Sequence, residues 1–218
     1  MNIVELKLPG QGVRRTFDAP SVFVIDDDPG VREALGHVIR NAGWRAELFA
    51  SAEEFLRRDR ESQPACVVLD VNLPRLGGLE LQRRLAVNGD ALQIVFITGF
   101  GDVHTTVRAM KAGAVEFLTK PLSPDALLDA VDEALTRSAA ILEREAATRA
   151  LRERYETLTP RERQVLELVV SGRLNKQVGF MLGITEITVK AHRGKLMRKM
   201  EARSIADLVR MFSMLQQR

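Results

Sequence analysis

Between residues 22 and 118, five short apolar runs alternate with amphipathic stretches, and most of the runs lead into a residue able to do chemistry. The runs cover residues 22–25, 45–49, 66–69, 92–97 and 115–118, with helix-like segments starting near Pro29, Ala52, Leu79 and Val103. Strand and helix in strict alternation build a parallel sheet covered by helices, because parallel neighbours need a long crossover between them. Cap chemistry agrees. Asp28-Pro29 and Ser123-Pro124 each put a capping side chain before a first-turn proline, and Ser51 with Glu54 spells a capping box.

Asp26 and Asp27 follow the first run, Asp70 the third, Thr98 the fourth, and Lys120 comes two residues after the fifth. In an open parallel sheet these carboxyl ends share one edge, beside the switch point where ligands bind. Clustered carboxylates repel one another unless a cation joins them, and a hard divalent ion such as Mg²⁺ suits oxygen donors. A nearby ammonium and hydroxyl would further stabilise a phosphoryl group under attack by Asp70. Taken singly, each aspartate reads equally well as a cap or a solvated group; the specificity lies in their convergence.

Beyond Pro124 a charged, alanine-rich stretch continues to about Tyr155 with no glycine or proline, which predicts one long helix that also serves as linker. Leu128, Leu135 and Leu142 recur every seven residues. That spacing fits either a short coiled coil or a sheet-packing helix running into a solvated connector. Thr159-Pro160-Arg161-Glu162 then opens an all-helical region with helices near 160–170, 174–182, 186–199 and 203–214, broken at Gly172 and Gly183. Leu182-Gly183-Ile184-Thr185 separates the second and third of these at helix-turn-helix spacing. The third carries Lys190, His192, Arg193, Lys195, Arg198 and Lys199 to meet a phosphate backbone, with Ile187, Val189, Leu196 and Met200 for packing. On these features alone a small protein-binding bundle remains the alternative.

Charge follows the same division. Residues 157–218 hold 12 Lys and Arg against 5 Asp and Glu, net +7, and the remainder holds 20 against 24, net −4. The basic part suits a polyanion. At 218 residues, 45% hydrophobic and 28% charged, the chain reads as two soluble domains. No apolar run spans a bilayer and no export signal opens the sequence, so a cytoplasmic location without membrane contact is expected. Cys66, alone and within an apolar run, reads as a core thiol, and His37, His104 and His192 lack zinc-ligand spacing. Residues 1–20 read as a mobile extension.

The first half strongly resembles the receiver domains of two-component response regulators. The resemblance rests on Val24-Ile25-Asp26-Asp27-Asp28, Leu69-Asp70-Val71-Asn72-Leu73-Pro74-Arg75-Leu76-Gly77-Gly78, Phe96-Ile97-Thr98-Gly99, Ala109-Met110-Lys111-Ala112-Gly113-Ala114 and Phe117-Leu118-Thr119-Lys120-Pro121. It implies that Asp70 accepts the phosphoryl group, and that Mg²⁺ is bound by Asp26, Asp27, Asp70 and the backbone carbonyl of Asn72. Thr98 would be the switch hydroxyl, and Lys120 the phosphoryl-pairing cation before a cis bond to Pro121. Phe117, where tyrosine is more frequent, would be the aromatic that turns inward; it reads as well as a plain core ring. A phosphatase of the haloacid dehalogenase type would place a carboxylic acid two residues after its nucleophile, but Asn72 stands there and cannot donate the proton. A phosphorylated regulator is expected rather than an enzyme.

The second half is similar to LuxR-type DNA-binding domains, through Leu158-Thr159-Pro160-Arg161-Glu162-Arg163-Gln164-Val165-Leu166, Asn175-Lys176-Gln177-Val178 and Thr188-Val189-Lys190-Ala191-His192-Arg193. Together the halves resemble the FixJ/NarL family of transcription regulators. The implied architecture is an extension over 1–20 and a flavodoxin-like (βα)5 receiver over 21–124. A helical linker over 125–156 includes the last receiver helix, and a four-helix helix-turn-helix domain covers 157–218. By the same resemblance Lys190, Ala191 and Gly194 face base edges, while Thr188, His192, Arg193 and Lys195 lie near the backbone of promoter DNA. Gly194 departs from the larger polar residues common at its position, and Gly179 replaces a usual alanine at about 1 kcal/mol of helix stability. The implied partners are a cognate sensor histidine kinase, double-stranded promoter DNA, RNA polymerase and a second copy of the chain, in a role as activator.

Overall fold

The computed structural model describes residues 3–7, 14–18, 20–58, 63–87, 92–99 and 101–216, the first two stretches by their backbone alone. Two compact units divide at Glu143 and Arg144. In the first, β1 (Ile3–Lys7) and β2 (Arg14–Asp18) pair antiparallel. The region read as a mobile extension therefore holds a hairpin, for which Ile3-Val4-Glu5-Leu6-Lys7 supplies a largely apolar strand.

The main sheet comprises β3 (Ser21–Ile25), β4 (Arg45–Phe49), β5 (Ala65–Asp70), β6 (Gln93–Thr98) and β7 (Glu116–Thr119), all parallel in the order β4-β3-β5-β6-β7. That order is the flavodoxin-like one, with its reversal between β3 and β5. Side chains alternate between the two faces, so a central strand must be apolar throughout. Val22, Val24, Cys66, Val68, Val95 and Ile97 pack on one side with α1 (Pro29–Asn41) and the start of α5 (Pro124–Glu156). On the other face Phe23, Ile25, Val67, Leu69, Ile94 and Phe96 meet α2 (Ala52–Phe55), α3 (Gly78–Val87) and α4 (Val103–Lys111).

The Asp28 carboxylate caps α1 by accepting from the amides of Gly30 and Val31, which holds its own pKa below the usual aspartate range. Ser51 caps α2 as expected, but Glu54 reaches back to the amide of Ala50, one residue before the cap, so the box closes one position early. Helix α5 is 33 residues long. Of the three heptad leucines only Leu135 is fully buried, and it packs on the sheet with Leu127 and Val131. This favours the sheet-packing reading of the repeat over a coiled coil.

The second unit contains α6 (Pro160–Val170), α7 (Asn175–Leu182), α8 (Glu186–Lys199) and α9 (Ile205–Gln216) around a core that includes Val165, Leu166, Val178, Val189, Leu196 and Leu208. Leu151 and Tyr155, from the end of α5, belong to that core. The Thr159–Glu162 capping box is complete. Gly183 ends α7 with φ 67°, a left-handed conformation that only glycine adopts without strain.

Candidate phosphoacceptor site and nucleic-acid interface

The carboxyl ends of β3, β5, β6 and β7 bring Asp26, Asp27, Asp70, Thr98 and Lys120 to one edge of the sheet. Lys120 Nζ donates to Asp26 Oδ2 and to Asp70 Oδ2, each at 2.7 Å. The remaining oxygens are also held: Asp26 Oδ1 accepts from the amide of Asp28 at 2.9 Å, and Asp70 Oδ1 from the amide of Asn72 at 2.8 Å. Asp26 is fully buried and Asp27 exposed. Burial pushes the pKa of Asp26 up, and its hydrogen bonds to Lys120 and Asp28 only partly offset this. For Lys120, burial pulls the pKa down, but hydrogen bonds to both carboxylates outweigh it and the net shift is upward. The ammonium is thereby kept charged between the two carboxylates.

Ligand oxygens of Asp26, Asp27 and Asp70 lie within 4.8 Å of one another. Three hard oxygen donors at that spacing, one of them exposed, fit a small divalent cation. Thr98 is fully buried, and its hydroxyl lies 3.4 Å from Asn72 Nδ2, a contact between two expected site residues that their sequence positions do not reveal. The Lys120 amide donates to the carbonyl of Thr98 at 2.7 Å, which ties the two side-chain positions together through backbone, and the Lys120–Pro121 bond is cis as expected. Phe117 is half-buried on β7, its ring centroid 6.2 Å from that of Phe96. Gly78 opens α3 directly behind Asp70: a Cβ there would stand 2.5 Å from the carbonyl oxygen of Asp70.

In the helical unit, the Thr185 side chain accepts from the amide of Thr188 and starts α8. Val189, Leu196 and Met200 face inward, while Lys190, Ala191, Gly194 and Lys195 are exposed. Thr188, His192 and Arg193 are half-buried, and Arg193 Nη1 donates to Asn175 Oδ1 on α7. The α8 face expected at base edges is thus open. Gly194 has no heavy atom within 4 Å of where a Cβ would stand. Gly179, by contrast, backs onto the turn, with a hypothetical Cβ only 2.7 Å from the carbonyl of Ile184.

Two residues on α8 depart from expectation. Lys199, counted among the cations for a phosphate backbone, instead donates to Glu162 Oε2 at 2.7 Å and to the carbonyl of Thr157 at 2.9 Å. A carboxylate as buried as Glu162 requires such a countercharge. Ile187, expected to pack, is 79% exposed, since the α8 positions facing inward are filled by Val189 and Leu196.

Comparison with known proteins matches residues 22–132 to the response regulator receiver domain and residues 156–212 to the bacterial regulatory proteins of the luxR family. Nodulation protein W of Bradyrhizobium diazoefficiens is 47% identical over 190 residues, covering 87% of this chain and 84% of that protein. The chain belongs to the response regulators. Response regulator StyR, a solved structure, is 45% identical with a TM-score of 0.80, over 90% of this chain and 99% of that one. Full-length FixJ from B. japonicum is 35% identical with a TM-score of 0.53, over 89% and 96%.

This response regulator therefore couples a receiver domain, which implies a histidine kinase partner, to a LuxR-type domain, which implies DNA binding. Among its described residues no helix is long and apolar enough to cross a membrane. Among the residues of the two sites, the sequence reading missed which polar groups are spent on one another and which way Ile187 faces. The Lys199–Glu162 pair is separated by 37 residues, and no local signal joins them. Ile187 was accessible to reasoning, because it stands three residues before Lys190 on the same helical stripe.

Proposed function

We propose that Asp70 accepts a phosphoryl group from a sensor histidine kinase, and that this controls binding of the α8 face to promoter DNA. The observation that carries the reading is Lys120 bridging the carboxylates of Asp26 and Asp70 at 2.7 Å each. In the transfer, a carboxylate oxygen of Asp70 forms the new bond to phosphorus while the phosphorus–nitrogen bond of the donor imidazole breaks, its electron pair leaving with the nitrogen. Lys120 stands where it can pair with the phosphoryl oxygens, and Thr98 supplies a hydroxyl donor from β6. Asp26, Asp27, Asp70 and the Asn72 carbonyl would hold Mg²⁺, which when bound adds positive charge against the phosphoryl oxygens.

Engagement of the Thr98 hydroxyl by the phosphoryl group draws it from Asn72, and Phe117 moves toward the vacated space. The surface so changed includes α4, where Val103, Val107 and Met110 stand exposed at helical spacing. We assign this face to contact with a second copy, which lets two helix-turn-helix units reach two half-sites. The domain division that goes with this reading is 21–124, 125–156 and 157–218. Incubation with a small phosphodonor and Mg²⁺ is expected to add one hydroxylamine-labile phosphoryl group per chain, and Asp70→Asn to abolish it. Undiminished labelling of Asp70→Asn would overturn the assignment.

A further inference from the structure

Resting on the reading of α8 as the DNA-facing helix, we infer that Ile187 is a base-reading residue that recognises the methyl group of a thymine in the major groove. A single exposed isoleucine is ordinary on a protein surface. Its place on the helix is what separates this one. Ile187, Lys190, Ala191 and Gly194 follow one another at intervals of three, one and three residues, so they form a single stripe along α8. All four are exposed, Ile187 at 79%. The inward side of the same helix is complete without it, since Val189, Leu196 and Met200 are fully buried. The side chain thus has no partner in the core of its own domain.

The chemistry of the stripe narrows the ligand. Recognition helices meet base edges with their N-terminal residues, and Ile187 is the second residue of α8. Thymine alone among the four bases presents an apolar group in the major groove, its C5-methyl. The stripe offers little else but apolar surface beside Lys190: a methyl at Ala191, and no side chain at Gly194. Isoleucine is also held to one χ1 rotamer in a helix, so little side-chain freedom is lost on contact. The Lys190 side chain, paired with Glu186 at 3.2 Å, lies back along the same face and is suited to a guanine edge nearby. The half-site is therefore expected to carry a thymine at the position facing the start of α8.

The test uses the full chain, phosphorylated with a small phosphodonor and Mg²⁺, and DNA selected from a random pool. Each thymine of the selected site is then replaced by deoxyuridine, which lacks only the methyl group. The expected result is at least one thymine per half-site whose replacement weakens binding about fourfold, the scale of one lost methyl contact. That penalty disappears in Ile187→Ala, and reselection with Ile187→Ala no longer fixes thymine there. Because Ile187 is exposed, the variant is expected to unfold at the parent temperature. Deoxyuridine penalties that are the same in parent and Ile187→Ala would overturn the inference. Lys190→Ala separates the two layers of the argument. If it leaves binding of selected and random DNA unchanged, the reading of α8 as the DNA-facing helix fails; if it weakens both equally, Lys190 meets phosphate and the stripe does not face base edges; if it lowers only specific binding while Ile187→Ala keeps the parent's penalties, the role of Ile187 alone fails.

Discussion

Behind the backbone of Asp70 stands Gly78, where there is no room for a side chain. Gly78 is the second of two adjacent glycines that follow Leu73-Pro74-Arg75-Leu76, and a Cβ on it would lie 2.5 Å from Asp70 O, 3.1 Å from Val71 Cα and 3.2 Å from the Phe96 ring. Two of those three atoms are backbone and cannot swing aside. Gly78→Ala is therefore expected to cost about 1–3 kcal/mol in urea unfolding followed by Trp44, the single tryptophan, and to slow phosphorylation by moving the acceptor from Lys120. A Gly78→Ala protein as stable as the parent and labelled at the parent rate would show that the loop gives way freely. Most of the acidic site was legible because its residues sit at strand ends, where the parallel-sheet rule places them together. The Asn72–Thr98 contact was not, since it depends on a side-chain direction in a loop.

At the scale of elements, periodicity and caps located the helices of the second unit to within about two residues, because local chemistry marks those ends. What joins the helices was hidden, since tertiary ion pairs leave no local trace. Glu162 stabilises α6 at its capping box and ties it to α8 through Lys199. Burial would raise the pKa of Glu162, but the Lys199 ammonium and the hydrogen bonds at Thr159 reverse this and hold it below the ordinary glutamate value. A carboxyl group whose pKa falls on folding adds stability above its unfolded pKa of about 4.3, and that stability is lost as pH falls through the folded value. Glu162→Gln is expected to destabilise the helical unit by about 1–3 kcal/mol at pH 7, with the gap closing below about pH 4. Tyr155, the single tyrosine, lies in that core and reports the transition. A gap independent of pH would mean that the charge on Glu162 contributes nothing.

For the whole molecule, the proposed control of DNA binding at α8 by a phosphoryl group on Asp70 has two routes open to it. One route pairs two copies through the exposed apolar face of α4; the other relieves an inhibition that the acidic part exerts on the basic part, whose net charges are −4 and +7. A fragment distinguishes them, and its start has to respect the core. Leu151 and Tyr155 pack with Val165 and Leu166, so a chain cut at 157 would lose part of its interior, whereas one beginning at 144 keeps the whole second unit. Pairing predicts that residues 144–218 bind a two-half-site DNA more weakly than the phosphorylated full chain, because the fragment lacks α4. It also predicts that Val103→Asp, at an 81% exposed site where an aspartate disturbs no core, leaves Asp70 phosphorylation intact and removes the gain in DNA affinity. Light scattering on the phosphorylated full chain is expected to report a dimer, and on Val103→Asp a monomer. If residues 144–218 instead bind as tightly as the phosphorylated full chain, and that chain stays monomeric at saturating DNA, relief of inhibition is the route and the α4 face has another use.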